Sequence, residues 1–168
     1  DQPRSRGLGD VYKRQDLRMV IAMSKANTDL ERIGDEAAKI ARIAQSLCED
    51  GESPRGYMET RHIGNQVRVM IHDALDAFAR LDAEQALRVM MADADIDREY
   101  QSATRTLMTY MIEDPRHIAR VINVMWVLRS LERIGDHARN ISEQVIYMVK
   151  GLDVRHTSFE EVEKHIQK

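Results

Sequence analysis

The sequence contains few of the residues that mark several common classes of protein. Its 168 residues include 1 cysteine, 3 prolines and 8 glycines, and 5% of them are aromatic. The single cysteine, Cys48, cannot form an internal disulfide, which is typical of a protein kept in a reducing compartment. No apolar run approaches the roughly 20 residues of a membrane-spanning helix, and none resembles the core of a signal peptide. The sequence therefore predicts a cytosolic protein without membrane insertion.

Charge of one sign is not concentrated anywhere along the chain. The 25 Lys and Arg and 28 Asp and Glu residues leave a formal net charge of -3, and no basic run forms the stripe that binds nucleic acid. We therefore expect no nucleic-acid partner. With 43% hydrophobic and 32% charged residues, the composition indicates one or two small helical units.

Apolar residues recur every three or four positions along four segments, which is the period of an amphipathic α-helix. The predicted helices span residues 16–49, 57–81, 83–113 and 115–150. The first is followed by a polar loop that contains Gly51, Pro54 and Gly56. The predicted packing face of the first helix is Met23, Ala26, Leu30, Ile33, Ala37, Ile40, Ala44 and Leu47.

The connections between the later helices are very short. Breaks at Asp82 and Asp114 force three successive helices to run antiparallel, so residues 57–151 are predicted to form a three-helix bundle. The first helix, residues 16–50, either packs on this bundle as a fourth helix or belongs to a second bundle. We predict an all-α antiparallel helical bundle, with one complete three-helix bundle and the last helix of a second, incomplete one. The polar tail, residues 152–168, is predicted to hold one short amphipathic turn.

Residues 1–15 show no helical period and are predicted to be disordered. Their stretch GLGDVYKRQ resembles the translated scar of a sequencing adapter or vector. A flexible natural tail is the alternative interpretation.

The hexapeptide LERIGD occurs twice, at residues 30–35 and 131–136. The two copies share the register of their helices, so we interpret them as the product of duplication of a three-helix unit. Each copy carries two carboxylates one helical turn apart, on positions predicted to face outward. Such a like-charged pair costs a helix about 0.2–0.5 kcal/mol, and its glycine about 0.8–1.0 kcal/mol relative to alanine. Helix stability therefore does not explain the motif.

Cation binding would explain the paired carboxylates. Hard oxygen ligands suit magnesium, manganese, iron or calcium, and the glycine would allow a neighbouring helix to approach closely. The third helix adds Asp93 and Asp97, and Asp93 falls on the packing face, where a carboxylate needs a metal or a paired cation. Pairing with Arg133 or Arg139 of the last helix is the alternative. The candidate metal ligands are Glu31, Asp35, Asp93, Asp97, Glu132 and Asp136.

Other reactive residues form no recognisable constellation. His72 and His137 are single imidazoles without ligand spacing, and Glu59 with His62 is one Glu-x-x-His pair where di-iron bundles use two. No nucleophile or phosphate-binding loop is evident. We predict that the protein is not an enzyme. A metal-dependent enzyme that uses the outward carboxylates, and a metal-free structural fragment, are the alternatives.

The paired LERIGD helices, with HDALDAFARLD, DADIDREY, LMTYMIEDP and RIGDHARNISEQVIYMVKG, resemble the PhoU family of phosphate-specific transport accessory proteins. The resemblance runs from about Asp16 to about His156 and implies two similar three-helix bundles. It implies a non-catalytic negative regulator of the phosphate-starvation response, whose partners are the ATPase subunit of the phosphate transporter and a sensor histidine kinase.

The resemblance also implies metal ions of the Mg, Mn, Fe or Zn type at the E(D)xxxD motifs. By position, these motifs correspond to Glu31 with Asp35 in the first bundle and to Glu132 with Asp136 in the second, while Asp93 and Asp97 match the acidic pair of the preceding helix. The two helices that the family pattern places before Asp16 are missing, so the first bundle is expected to be incomplete. We expect the unpartnered first helix to self-associate through Leu30, Ile33 and Ile40, in a homodimer.

Overall fold

The computed structural model describes residues 4–49, 56–155, 157 and 159–166, with residues 4–14 described by their backbone alone. The helices are α1 (Arg4–Glu49), α2 (Tyr57–Arg80), α3 (Ala83–Glu113), α4 (Ile118–Lys150) and α5 (Phe159–Ile166), with a 3-10 turn at Pro115–His117. The described residues contain no strand, so the prediction of an all-α fold is confirmed. None of the described helices is long and apolar enough to cross a membrane.

Polar capping residues fix the two tight turns between α2, α3 and α4. The carboxylate of Asp82 accepts a hydrogen bond from the backbone N–H of Gln85 (2.9 Å), and Asp114 accepts one from the backbone N–H of Arg116 (3.2 Å). Leu81, just before the first cap, lies in the left-handed region with φ 55°. The three helices are therefore antiparallel neighbours, and their shared core includes Ile63, Val67, Met70, Val89, Ile96, Leu107, Val124, Leu128, Ile134 and Ile141.

Helix α1 packs along α4 and runs antiparallel to it. Asp29 of α1 contacts His137 of α4, whereas Lys39, further along α1, lies 5.4 Å from the ring of Trp126, which is earlier in α4. Helix α1 therefore packs on the three-helix bundle through α4.

Helix α1 begins earlier than the sequence predicts. Residues 4–15, expected to be disordered, are helical, while residues 1–3 of that prediction lie outside the described residues. Once a helix has formed, each added residue gains a hydrogen bond without repeating the cost of nucleation. The long helix that follows can therefore extend into a segment that has no apolar period of its own.

The packing face of α1 is rotated from the predicted one. The residues that face α4 are Ala22, Ala26, Asp29, Ile33, Glu36, Ile40, Ile43 and Leu47, whereas Met23, Leu30, Ala37 and Ala44 are exposed. Two carboxylates therefore lie on the buried side of α1. In the predicted stripe for self-association, Ile33 and Ile40 are partly buried against the core and Leu30 is 40% exposed.

The contacts between α1 and α4 have a local two-fold relation. The constant offset between the two LERIGD copies maps Asp29 onto Ser130 and Glu36 onto His137. Asp29 contacts His137 at 2.8 Å, and Ser130 lies close enough to Glu36 to lower the pKa of its carboxyl, so the two residue pairs exchange under the same offset. Where α1 and α4 pack together, the two repeated segments therefore contact each other at equivalent positions.

Helix α5 packs against α3 and α4. Val162 is fully buried against Ala83, Leu87 and Val145, and the ammonium of Lys150 donates a hydrogen bond to the carbonyl of Ile166 (2.9 Å). The amphipathic turn predicted in the tail is confirmed as a two-turn helix packed on the core.

Gly34 is a place where the helix should gain stability from a methyl group. A Cβ built there meets nothing within 4 Å, so Gly34→Ala is expected to stabilise the protein by about 0.5–1 kcal/mol in urea denaturation. Gly151→Ala is the control for a glycine that is needed, since its φ is +69° and its Cβ would lie 2.5 Å from Nη1 of Arg18. A loss of stability in Gly34→Ala would contradict this expectation.

Candidate functional site

Four of the six predicted metal ligands lie together where α3 packs against α4. The pKa of Asp93 rises to about 6, first because its carboxyl is buried and then because Asp97 and Asp136 lie near it, against the lowering effect of Arg139. Asp93 itself is 2% exposed. We call Asp93, Asp97, Glu132 and Asp136 the acidic cluster. Asp93 is buried, and the other three carboxylates of the acidic cluster are half-buried.

Glu132 and Asp136 do not face outward as predicted. Burial, followed by the charge of Asp136, raises the pKa of Glu132, and burial, followed by the charge of Asp97, raises that of Asp136. Only 12% of the Glu132 side chain is exposed, and its Oε2 has no hydrogen-bond partner among the described residues. The prediction was wrong because α4 is the central helix, with α1 on one side and α2 and α3 on the other.

Arginines already hold two carboxylates of the acidic cluster. Nη1 of Arg139 lies 3.2 Å from Oδ2 of Asp93, and Nη1 of Arg129 lies 2.7 Å from Oε1 of Glu132. Pairing of Asp93 with Arg139 was the alternative to a metal, and this pairing is present. The other candidate, Arg133, instead pairs with Glu36 of α1 at 2.9 Å.

Gly135 brings α4 against the buried carboxylate of α3. A Cβ built at Gly135 would lie 3.6 Å from Oδ1 of Asp93 and 3.8 Å from Sδ of Met70, which are ordinary van der Waals distances. The predicted close approach of a neighbouring helix is therefore present at Gly135, but a residue with a Cβ would also fit there. At Gly34 no described residue of the chain lies within 4 Å of the Cβ position.

The first copy of the motif is in a different environment. Glu31 and Asp35 are exposed on the side of α1 that faces away from α4, as predicted. They are not brought to the acidic cluster. The repeat thus places one carboxylate pair in solvent and the other against a neighbouring helix.

The acidic cluster fits a hard cation by its chemistry but not by its present side-chain positions. Its donors are carboxylate oxygens, which Mg²⁺ and Mn²⁺ prefer. Across the part of the chain that the structure describes, no three His, Cys, Asp or Glu side chains are arranged to hold a metal ion. Binding would require Arg139 and Arg129 to release Asp93 and Glu132.

A buried polar network between α1 and α4 was missed by the sequence analysis. Nδ1 of His137 lies 2.8 Å from Oδ1 of Asp29, which also accepts a hydrogen bond from Nδ2 of Asn140 (3.2 Å). His137 is 7% exposed. The available signal was the seven-residue spacing of Asp29 and Glu36 on one helix face, in register with the apolar residues.

The network is charged as well as buried. Burial raises the pKa of Glu36, but the hydroxyl of Ser130 and the charges of Arg133 and Lys39 together bring it below the ordinary value. Glu36 is 8% exposed, and its Oε1 lies 2.9 Å from Nη1 of Arg133. These contacts join α1 to α4 at the level of the repeated motif.

The helical fold and the interface between α1 and α4 together define an all-α bundle protein built around a repeated acidic helix motif. The PhoU domain family matches residues 5–44 and 60–145 of the chain. The chain therefore belongs to the PhoU family.

Relatives at high identity agree with this assignment. The chain is 65% identical over 152 residues to the phosphate-specific transport system accessory protein PhoU homolog of Pseudomonas putida, covering 90% of this chain and 59% of that protein. It is 43% identical over 158 residues to the PhoU accessory protein of Escherichia coli strain K12, covering 92% and 65%. The chain thus spans about three fifths of the length of these relatives.

Solved structures show the same fold. The crystal structure of PhoU from Pseudomonas aeruginosa matches with a TM-score of 0.80 and 60% identity, over 90% of this chain and 68% of that one. The phosphate transport system regulatory protein PhoU from Streptococcus pneumoniae matches with a TM-score of 0.75 and 28% identity, over 83% and 66%. The predicted family and helical-bundle fold are confirmed.

Proposed function

We propose that the protein is a cytoplasmic accessory protein of a phosphate transport system and acts without catalysis. In this role it restrains the phosphate-starvation response by linking the ATPase subunit of the transporter to a sensor histidine kinase. The observation that carries the proposal is the match to the PhoU domain over both α1 and the α2–α4 bundle, with relatives named as phosphate transport accessory proteins.

The proposal includes a metal ion at the acidic cluster. A divalent or iron-type cation would replace the contacts of Arg139 and Arg129 and offset the cost of holding Asp93 and Glu132 in a buried setting. The support is the raised pKa of both carboxyls and the unpartnered Oε2 of Glu132. The ion would supply positive charge that fixes α3 against α4.

The proposal also includes a partner that packs on the outward face of α1. This partner is either a pair of helices that completes a second three-helix bundle or a second copy of the chain in a homodimer. Leu30 and Gly34 are the counterparts of Leu131 and Gly135, which α2 and α3 cover on α4. The exposed apolar residues on or beside this face are Met19, Val20, Met23 and Leu30. The repeat therefore supports a pair of helices, resembling α2 and α3, as the covering unit.

A reporter of the phosphate-starvation response tests the regulatory role. In a bacterium that lacks its own PhoU, expression of this chain under phosphate-replete conditions is expected to lower the reporter signal. The matched variant Val124→Asp, in the core of the bundle, is expected to lose this effect because it buries an unpaired charge. A reporter that stays fully induced with the folded wild-type chain would contradict the proposed function.

A further inference from the structure

A groove runs between α2 and α3. A cavity of about 580 Å³ lies between the α2 segment 62–73 and the α3 segment 85–96. A second cavity of about 200 Å³ continues it toward Glu59 and Thr106, and His62 lines both. At 1.5 Å per helical residue, the α2 wall is about 20 Å long and the α3 wall about 30 Å long. We call this the α2–α3 groove.

The floor of the α2–α3 groove is apolar and partly exposed. Met70, Val89 and Ile96 form the buried floor, while Val69 on the α2 side is 51% exposed and Ala92 on the α3 side is exposed. The elongated shape matches the helix-in-groove mode of recognition, in which an amphipathic helix places its apolar stripe on such a floor.

The walls of the α2–α3 groove are acidic. Its lining residues include four carboxylates and one guanidinium, with the histidine counted as neutral. The carboxylates are Glu59, Asp73, Asp95 and Glu99, of which Asp95 is paired with Arg98 beside the groove, and the guanidinium in the lining is that of Arg88. The charge therefore complements a basic occupant rather than an acidic one.

Two hydrogen-bond acceptors in the middle of the groove lack donors. Oε1 of Gln66 and Oε2 of Glu99 are buried and have no hydrogen-bond partner among the described residues. The other oxygen of Glu99 accepts a hydrogen bond from Nε2 of Gln66 (2.8 Å), and Nε2 of His62 lies 3.2 Å from Oε2 without hydrogen-bond geometry. A lysine or arginine side chain, which carries several N–H groups and no acceptor, would supply the missing donors once Gln66 and Glu99 change rotamer and expose these two oxygens.

From these observations we propose that the α2–α3 groove binds a basic amphipathic helix of a partner protein. The apolar stripe of that helix lies over Val69 and Ala92, and a cationic side chain reaches Gln66 and Glu99. None of the carboxylates of the acidic cluster lines the groove, so occupation of the groove does not require release of Arg139 or Arg129.

A designed peptide of about 18 residues serves as the probe, with leucine at i, i+3, i+4 and i+7 and lysine elsewhere. Fluorescence anisotropy with the full 168-residue chain is expected to show saturable binding that weakens with salt. A scrambled peptide of the same composition, and a version with glutamate in place of lysine, are expected to bind at least about tenfold more weakly.

Matched variants locate the peptide on the protein. Val69→Arg should weaken binding at least about tenfold, because it places a cation on the floor of the groove. Leu75→Arg, also exposed on α2 but outside the groove, should change it by less than about twofold. Glu99→Gln keeps the shape and removes a charge, so it should weaken binding by about threefold to fivefold. Circular dichroism checks that each variant keeps its helical content.

Several results would overturn the proposal. These are the absence of saturable binding, equal binding of the scrambled or glutamate peptide, and equal effects of Val69→Arg and Leu75→Arg. A fall in mass by light scattering in Val69→Arg, but not in Leu75→Arg, would show that a second copy of the chain occupies the groove and would also overturn it.

Discussion

Asp93→Asn is expected to stabilise the protein by roughly 2–3 kcal/mol at pH 8 in the presence of a chelator, and to change stability little near pH 4. Asp93 is 2% exposed and its pKa is raised to about 6, mainly by burial, so the folded protein holds the proton more tightly than the unfolded chain does. The stability that this group contributes is fully present below its unfolded pKa of about 3.9 and is lost as the pH rises through about 6. Asparagine resembles the protonated form at every pH.

Urea denaturation at several pH values, with EDTA present, measures this difference. Asp95→Asn is the matched control, because Asp95 is also on α3 but is exposed and pairs with Arg98. Its effect is expected to be small at all pH values. A pH-independent loss of stability in Asp93→Asn would show instead that the pair with Arg139 outweighs the cost of burying the charge.

The α2–α4 bundle could be predicted closely because its sequence signals are local. Asp82 and Asp114 are capping residues between two apolar periods, and each cap lies where the pattern predicted a helix boundary. The buried face of α2, which includes Ile63, Val67 and Met70, follows directly from the three- and four-residue spacing. Such features depend on neighbours in sequence, so one sequence is enough to find them.

The rotation of α1 could not be predicted in this way, because apolar residues occur on two of its faces. Leu30 belongs to one apolar face and Ile33 to both, so the apolar pattern does not indicate which face of α1 is buried. What selects the observed face is the pairing of Asp29 with His137, which lie 108 positions apart, and of Glu36 with Arg133. A polar pair between distant helices leaves no periodic signal in either segment.

The two LERIGD copies show that the environment of the candidate site could not be predicted from neighbouring residues either. Glu31 and Glu132 have identical neighbours in sequence, so local reasoning assigned both to the solvent side. Helix α3 covers only the second copy, and this raises the pKa of Glu132 through burial and through the charge of Asp136. The type of residue and its spacing were predictable, whereas its environment depends on which helices pack around it.

If the acidic cluster binds a cation, the second LERIGD copy should respond to metal and the first should not. Addition of Mn²⁺ or Mg²⁺ to chelator-treated protein, at about 100 times the dissociation constant, is expected to stabilise it by about 2.7 kcal/mol, which raises the melting temperature by roughly 5–10 °C. Asp136→Asn should abolish the rise, since Asp136 lies within the acidic cluster. Asp35→Asn should leave the rise unchanged, since Asp35 is exposed on α1.

The comparison between the two variants separates a specific site from general screening of negative charge. Both remove one carboxylate from the same place in an identical hexapeptide, so nonspecific ion binding would lower the response of both equally. Each melting temperature is compared with that of the same variant in chelator, because Asp136→Asn also relieves repulsion from Asp97. Equal responses in Asp136→Asn and Asp35→Asn would therefore count against a metal ion at the acidic cluster, whatever the response of the wild-type protein.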